Sequence, residues 1–132
     1  MEEGLADQAE LAIGDVALVS AVRAQVRDHG ARWRLSAEVT DRLVQLTHEM
    51  LGPGTLPGRL RLVRDDRHVT VTAEYAPREW EQFRRWRAQH PLGEDTWRGL
   101  MRQLADDWRQ ERSAAGVRLW ARVTVIPAGP AG

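Results

Sequence analysis

The chain is 132 residues long, enough for one domain with a core of its own and too short for two. Its 42% apolar content should let it fold, and 19 basic against 19 acidic side chains leave no net field to draw it to nucleic acid or an anionic membrane. Cys, Lys and Asn are absent, which excludes disulfides, thiol nucleophiles, Cys-based metal sites, a Walker A lysine and Schiff-base chemistry.

Residues 1–8 read as a flexible N-terminal tail, acidic and without the apolar region of an export signal. No apolar run approaches the ~18 residues of a membrane span, so a cytoplasmic protein is expected. "AELAI" (9–13) suits a short strand, with Gly14-Asp15 as turn and helix cap. Val16, Val19, Val22 and Val26 then recur at helical spacing, and Gly30 suits the position just past a helix end. Ser36 can cap a second helix with Glu38 in its first turn; Val39, Leu43, Leu46 and Met50 form its buried stripe, and Gly52-Pro53-Gly54 ends it. "RLRLV" (59–63) and "HVTVTAEY" (68–75) flank Asp65-Asp66-Arg67 and predict an antiparallel hairpin, with Leu60, Leu62, Val69, Val71 and Ala73 toward the core.

"APREWEQFRRWRAQHPLG" breaks the strand pattern. A helix begun by Pro77 and ended before Pro91 would carry Trp80, Phe83 and Trp86 three residues apart, interleaved with Arg78, Arg84, Arg85 and Arg87. Two uses fit: the aromatics fill a cavity, or Trp80, Phe83, Arg84, Arg85 and Trp86 are exposed as anchors for an acidic or amphipathic partner. Stacking on single-stranded nucleic acid is a third use, disfavoured by the zero net charge. Trp97, Leu100, Met101, Leu104 and Trp108 predict a closing helix over 95–112. "VRLWARVTVI" (117–126) alternates as a final strand before a flexible tail at 128–132. The expectation is one α+β domain over 9–127: a two-layer sandwich of a mixed, mostly antiparallel sheet of about four strands with three main helices on one face, plus an extra helix around 78–90.

Local chemical motifs are few. His48-Glu49 begins like the zinc motif HExxH, but residue 52 is Gly, and the four His fall in different predicted elements. No metal site is expected. "GPGTLPG" (52–58) has no Lys and no following helix, so it reads as a connector rather than a phosphate loop.

The order β-α-α-β-β-α-β, the stretch "AIGDVALVSAVRAQVRDHGARWRLSAEVTDRLVQLTHEML" (12–51) and the stretch "LADDWRQERSAAGVRLWARV" (104–123) together resemble the histidine-kinase-like ATPase superfamily, a Bergerat-like fold, in its small anti-sigma-factor serine kinase branch of actinobacterial type. In that family the second helix carries a Glu and, four residues later, a magnesium-holding Asn; the matching positions are Gln45 and Glu49. Gln accepts no proton, and a carboxylate at Glu49 brings negative charge toward a triphosphate. The adenine box, an Asp followed by glycines, matches Glu74 and Ala76, and the glycines of the phosphate lid fall on Asp95 and Trp97, with Gly99 two residues out of register.

All three boxes are degenerate in ways that oppose a polyanion. The resemblance therefore implies a pseudo-ATPase without cofactor, a regulator that binds another protein: a sigma factor, an anti-sigma antagonist or a signalling domain. Family members dimerise or dock through the first helix and the neighbouring sheet edge, which makes Val16, Arg23 and Arg27 contact candidates. The rival expectation is an active serine kinase using ATP and Mg²⁺, with Glu49 on the metal and Glu74 on adenine. A nucleic-acid accessory protein using residues 78–87 is the third.

Overall fold

The computed structural model describes residues 8–11, 19–51, 57–89 and 93–125. Five strands form one sheet: β1 (Gln8–Glu10), β2 (Arg59–Arg64), β3 (His68–Tyr75), β4 (Asp107–Ser113) and β5 (Gly116–Thr124). They lie in the order β1-β2-β3-β5-β4. Of the four described helices, α2 (Ala37–Glu49), α3 (Pro77–Gln89) and α4 (Gly93–Leu104) pack against the sheet, while α1 (Val19–Arg32) packs on α2. This is the expected α+β two-layer sandwich. Two details differ: every described strand pair is antiparallel rather than mixed, and the strands number five rather than four.

The register explains the core. Leu60 pairs with Ala73, Leu62 with Val71, Val71 with Ala121 and Ala73 with Leu119. Side chains alternate along a strand with a period of two, so these residues share one face, and all are fully buried beneath Leu43, Leu46, Met50 and Met101 of the helices. Each large apolar side chain so buried contributes roughly 1.5–3 kcal/mol. The opposite face carries Arg61, Thr72, Trp120 and Arg109 in one row. Two guanidiniums lie over the Trp120 ring, Arg109 at 5.3 Å and Arg122 at 5.0 Å from its centre.

Helix ends follow local chemistry. Ser36 caps α2, its Oγ accepting from Val39 N at 3.1 Å. Gly30 does not end α1 as expected, because the helix runs on to Arg32. The glycine is buried inside it, and a Cβ there would lie 2.6 Å from Thr40 Oγ1, so its bareness serves the approach of α1 to α2. The helix stops at Arg34 instead, with φ of 56°. Arg34 N donates to Ala31 O and Leu35 N to Gly30 O, the pattern of a left-handed helix stop. Gly14-Asp15, Val16 and Gly52-Pro53-Gly54 lie outside the described residues.

The largest departure from the sequence expectation is at 107–113. The closing helix ends at Leu104, and Asp107–Ser113 is an edge strand paired to β5 with Trp108 opposite Ala121. Trp108 fits the helical stripe eleven residues after Trp97, but as a strand residue it also reaches the core side, where its ring meets Trp97 at 5.5 Å. Asp106 makes the junction. Its N donates to Arg122 O at 2.8 Å, its carboxylate accepts from Thr124 N and Arg42 Nη2, and Arg42 Nε donates to Leu104 O at 3.0 Å.

The Thr124 backbone N–H holds the Asp106 carboxyl below the usual aspartate range, partly opposed by burial and assisted by Arg42. A carboxylate with a depressed folded pKa stabilises above its unfolded value, ~3.9, and that contribution is lost as pH falls through the folded value. Asp106→Ala is therefore expected to cost on the order of 1 kcal/mol at pH 7, the low end for a charged acceptor because the group is partly exposed. Urea denaturation of both proteins should show the difference closing below about pH 4.

Candidate functional site

The site inferred from sequence centres on the C-terminal turn of α2, where helix carbonyls lack intrahelical partners. Three side chains from three other elements meet them. Arg87 Nη2, from α3, donates to Glu49 O at 2.8 Å; Trp97 Nε1, from α4, donates to the same oxygen at 3.1 Å. Tyr75 OH, at the end of β3, donates to Met50 O at 2.6 Å. A guanidinium here also complements the negative end of the helix dipole.

Glu49 itself is closed off. Arg87 Nη2 donates to Glu49 Oε1 at 2.9 Å and Gln45 Nε2 to Oε2 at 3.0 Å, so both carboxylate oxygens serve as acceptors. The Glu49 and Arg87 side chains are only 12% and 9% exposed. Burial pushes the Arg87 guanidinium below its usual range, opposed by the hydrogen bond and charge of Glu49. Its Cζ lies 4.6 Å from the Trp86 ring centre, 5.0 Å from Trp97 and 5.5 Å from Phe83, within cation–π range. Trp80 stacks on Phe83 at 5.3 Å, and Phe83 meets Trp97 edge-on at 5.8 Å.

Of the residues singled out by the resemblance, Gln45, Glu49 and Trp97 come together. Glu74 does not. It faces the other side of the sheet from its neighbour Tyr75 and pairs with Arg118 at 3.5 Å. Ala76 is exposed just before α3, where its carbonyl accepts from Trp80 N. Asp95 is exposed in α4, and Gly99 lies within that helix, with nothing within 4 Å of where a Cβ would stand. A mid-helix amide is committed to the helix ladder, so Gly99 supplies no free N–H to a phosphate.

The aromatic helix has the expected bounds and a divided surface. Trp80 and Phe83 are buried, Trp86 is half-buried, and Arg84 and Arg85 are exposed. The cavity-filling use thus describes two of the three aromatics, and neither buried ring is offered to a partner. Arg23 and Arg27 are exposed on α1 and line a groove of about 440 Å³ with Asp41, Gln45 and His48 of α2; Arg27 pairs with Asp41 at 3.1 Å.

Arg87 is the residue that sequence reading passed over. At 3.6 residues per turn it lies about 20° round the helix from Trp80, whereas Trp86 lies about 120° away. The buried stripe is therefore 80, 83 and 87, and an Arg on the apolar face was the available signal. No group of three or more metal-binding side chains occurs among the described residues, and no described helix is long and apolar enough to cross a membrane. Comparison with protein-family models finds no match, and comparison with curated proteins finds none either.

Proposed function

We propose that this is a regulatory binding protein: a degenerate histidine-kinase-like ATPase, or pseudo-ATPase, that acts by gripping another polypeptide in an anti-sigma or partner-switching type of cytoplasmic signalling. The observation that carries the reading is the buried Glu49–Arg87 pair beneath Trp97. By resemblance Glu49 would hold Mg²⁺, yet its two oxygens are engaged by Arg87 and Gln45. Seating metal and triphosphate there means stripping a buried carboxylate of its partner, which costs ~3–5 kcal/mol, and displacing packed aromatic rings. The succession of a strand, two helices, a hairpin and further helices ahead of the last strands also supports the scaffold assignment. The rival kinase reading draws no support from Glu74, which is across the sheet from Glu49 and paired with Arg118.

The surfaces offered to a partner are the outer edge of α3, with Arg84 and Arg85 beside Trp86, and the α1 face carrying Arg23 and Arg27. Calorimetric titration of Mg-ATP is expected to show no saturable binding up to millimolar concentration. Micromolar binding that disappears in Glu49→Gln would overturn the reading. In a positive arm, capture from native extract should recover a partner with the wild-type chain and lose it with Arg84→Glu plus Arg85→Glu; equal recovery would remove α3 from the interface.

A further inference from the structure

A cavity of about 100 Å³ lies where α3, α4 and β4 meet. A single water needs roughly 10–15 Å³, so this space admits a group of several heavy atoms. Its lining is one-sided in charge. Arg84, Arg87, Arg98 and Arg112 all contribute, with Gln110 beside them, and no described carboxylate does. Other groups reach these guanidiniums from elsewhere: Glu81 pairs with Arg84 at 3.6 Å, Glu49 with Arg87 at 2.9 Å, and Arg98 lies 5.8 Å from the Trp108 ring centre. Aromatic rings of α3 and α4 complete the wall.

A second observation is independent of the charges. Trp80 Nε1 and Arg87 Nε are buried donors with no acceptor among the described residues, and the two residues are only 5% and 7% exposed. Folded proteins rarely leave a buried donor unmet, because it has given up water and gained nothing. Both side chains line the cavity, while the two nitrogens themselves lie covered behind its wall.

The geometry points to an oxyanion-binding pocket for a small molecule: a carboxylate or phosphate group on a flat or apolar body, held by the surrounding arginines, with a small shift of the wall bringing its oxygens to the covered Trp80 Nε1 and Arg87 Nε. Guanidiniums are planar, permanently charged and matched to paired oxygens, and the rings supply a face for the rest of the ligand. The pocket uses none of Gln45, Glu74, Asp95 or Gly99 but shares Arg87 and Trp97 with the closed nucleotide face. Mg-ATP seated at Glu49 would draw Arg87 out of place and count against both readings, whereas a failed probe titration counts against this one alone.

The chain has six Trp, each with an indole N–H resolvable in a proton–nitrogen correlation spectrum, and Trp80→Phe identifies the Trp80 peak by removing it. The probes are acetate, benzoate, inorganic phosphate and phenyl phosphate, titrated against chloride at matched ionic strength. At least one is expected to move the Trp80 indole proton saturably, while that of Trp97, already bonded to Glu49 O at 3.1 Å, moves far less. Arg84→Gln and Arg112→Gln, both at exposed positions, should each weaken binding about tenfold, as expected for one charge-assisted contact. Arg102→Gln, on α4 outside the cavity, should change nothing. Benzoate against phenyl phosphate tells which oxyanion is preferred. No saturable shift with any probe, or a shift that survives both pocket variants, means that no oxyanion is held here and overturns the assignment.

Discussion

Replacing Arg87 with Ala is expected to lower the unfolding free energy by about 3–5 kcal/mol, a large part of the ~5–15 kcal/mol that holds a typical domain together. The variant removes donors to Glu49 Oε1 and Glu49 O and a cation facing three rings. It also strands a carboxylate that is 12% exposed. The stranded charge is the dominant cost, and that makes the origin testable. If it dominates, Glu49→Gln introduced beside Arg87→Ala restores much of the loss, and Glu49→Leu with Arg87→Met comes close to wild type, since apolar pairs often replace buried ion pairs without penalty. Urea denaturation of wild type, Arg87→Ala, Glu49→Gln and their double variant gives the cycle directly. A loss below about 1 kcal/mol for Arg87→Ala would mean that the pair does not hold α3 on α2, and the argument for a closed nucleotide face would lose its support.

The strands were legible where one face is buried and the other is not. Val69, Val71 and Ala73 alternate with His68, Thr70 and Thr72, and the register keeps that alternation through β2, β3 and β5. Caps written in side-chain chemistry were equally legible, Ser36 and Pro77 among them. The end of α1 was hidden because Arg34, not a glycine, takes the left-handed conformation, while Gly30 serves packing against Thr40. β4 was hidden because Trp108 satisfies both a helical and an alternating pattern, and only its pairing with Ala121 decides between them. In the candidate site, proximity of Gln45 and Glu49 followed from their spacing of one helical turn. The partner that neutralises Glu49 is 38 residues away, and no local pattern specifies such a contact. Glu74 was misplaced by a single step of strand parity: Tyr75 faces the core, so its neighbour cannot.

Gly116→Ala carries the second large effect, this one through backbone rather than side-chain chemistry. Gly116 opens β5 opposite Ser113 with φ of 134°, a conformation that costs an L-residue roughly 1–3 kcal/mol. A Cβ there would also fall 1.9 Å from Tyr75 O, 3.0 Å from Tyr75 C and 3.1 Å from Ala76 Cα. Every one of those atoms is backbone, so no rotamer change relieves the clash; β5 must move away from the end of β3. That end carries Tyr75, whose hydroxyl meets Met50 O and whose ring packs 5.2 Å from Phe83, so the displacement reaches the cap on α2. Strain and overpacking together predict a loss of roughly 3–5 kcal/mol in denaturant titration, with amides of β3 and β5 losing hydrogen-exchange protection first near Tyr75 and Val117. The same substitution at Gly99 provides the contrast. That glycine is inside α4 with open space around its Cα, and Ala there should stabilise by about 0.5–1 kcal/mol through helix propensity. A Gly116→Ala protein within 1 kcal/mol of wild type would show that the β3–β5 junction yields easily, and Tyr75 could not then be the rigid post on which the end of α2 is fixed.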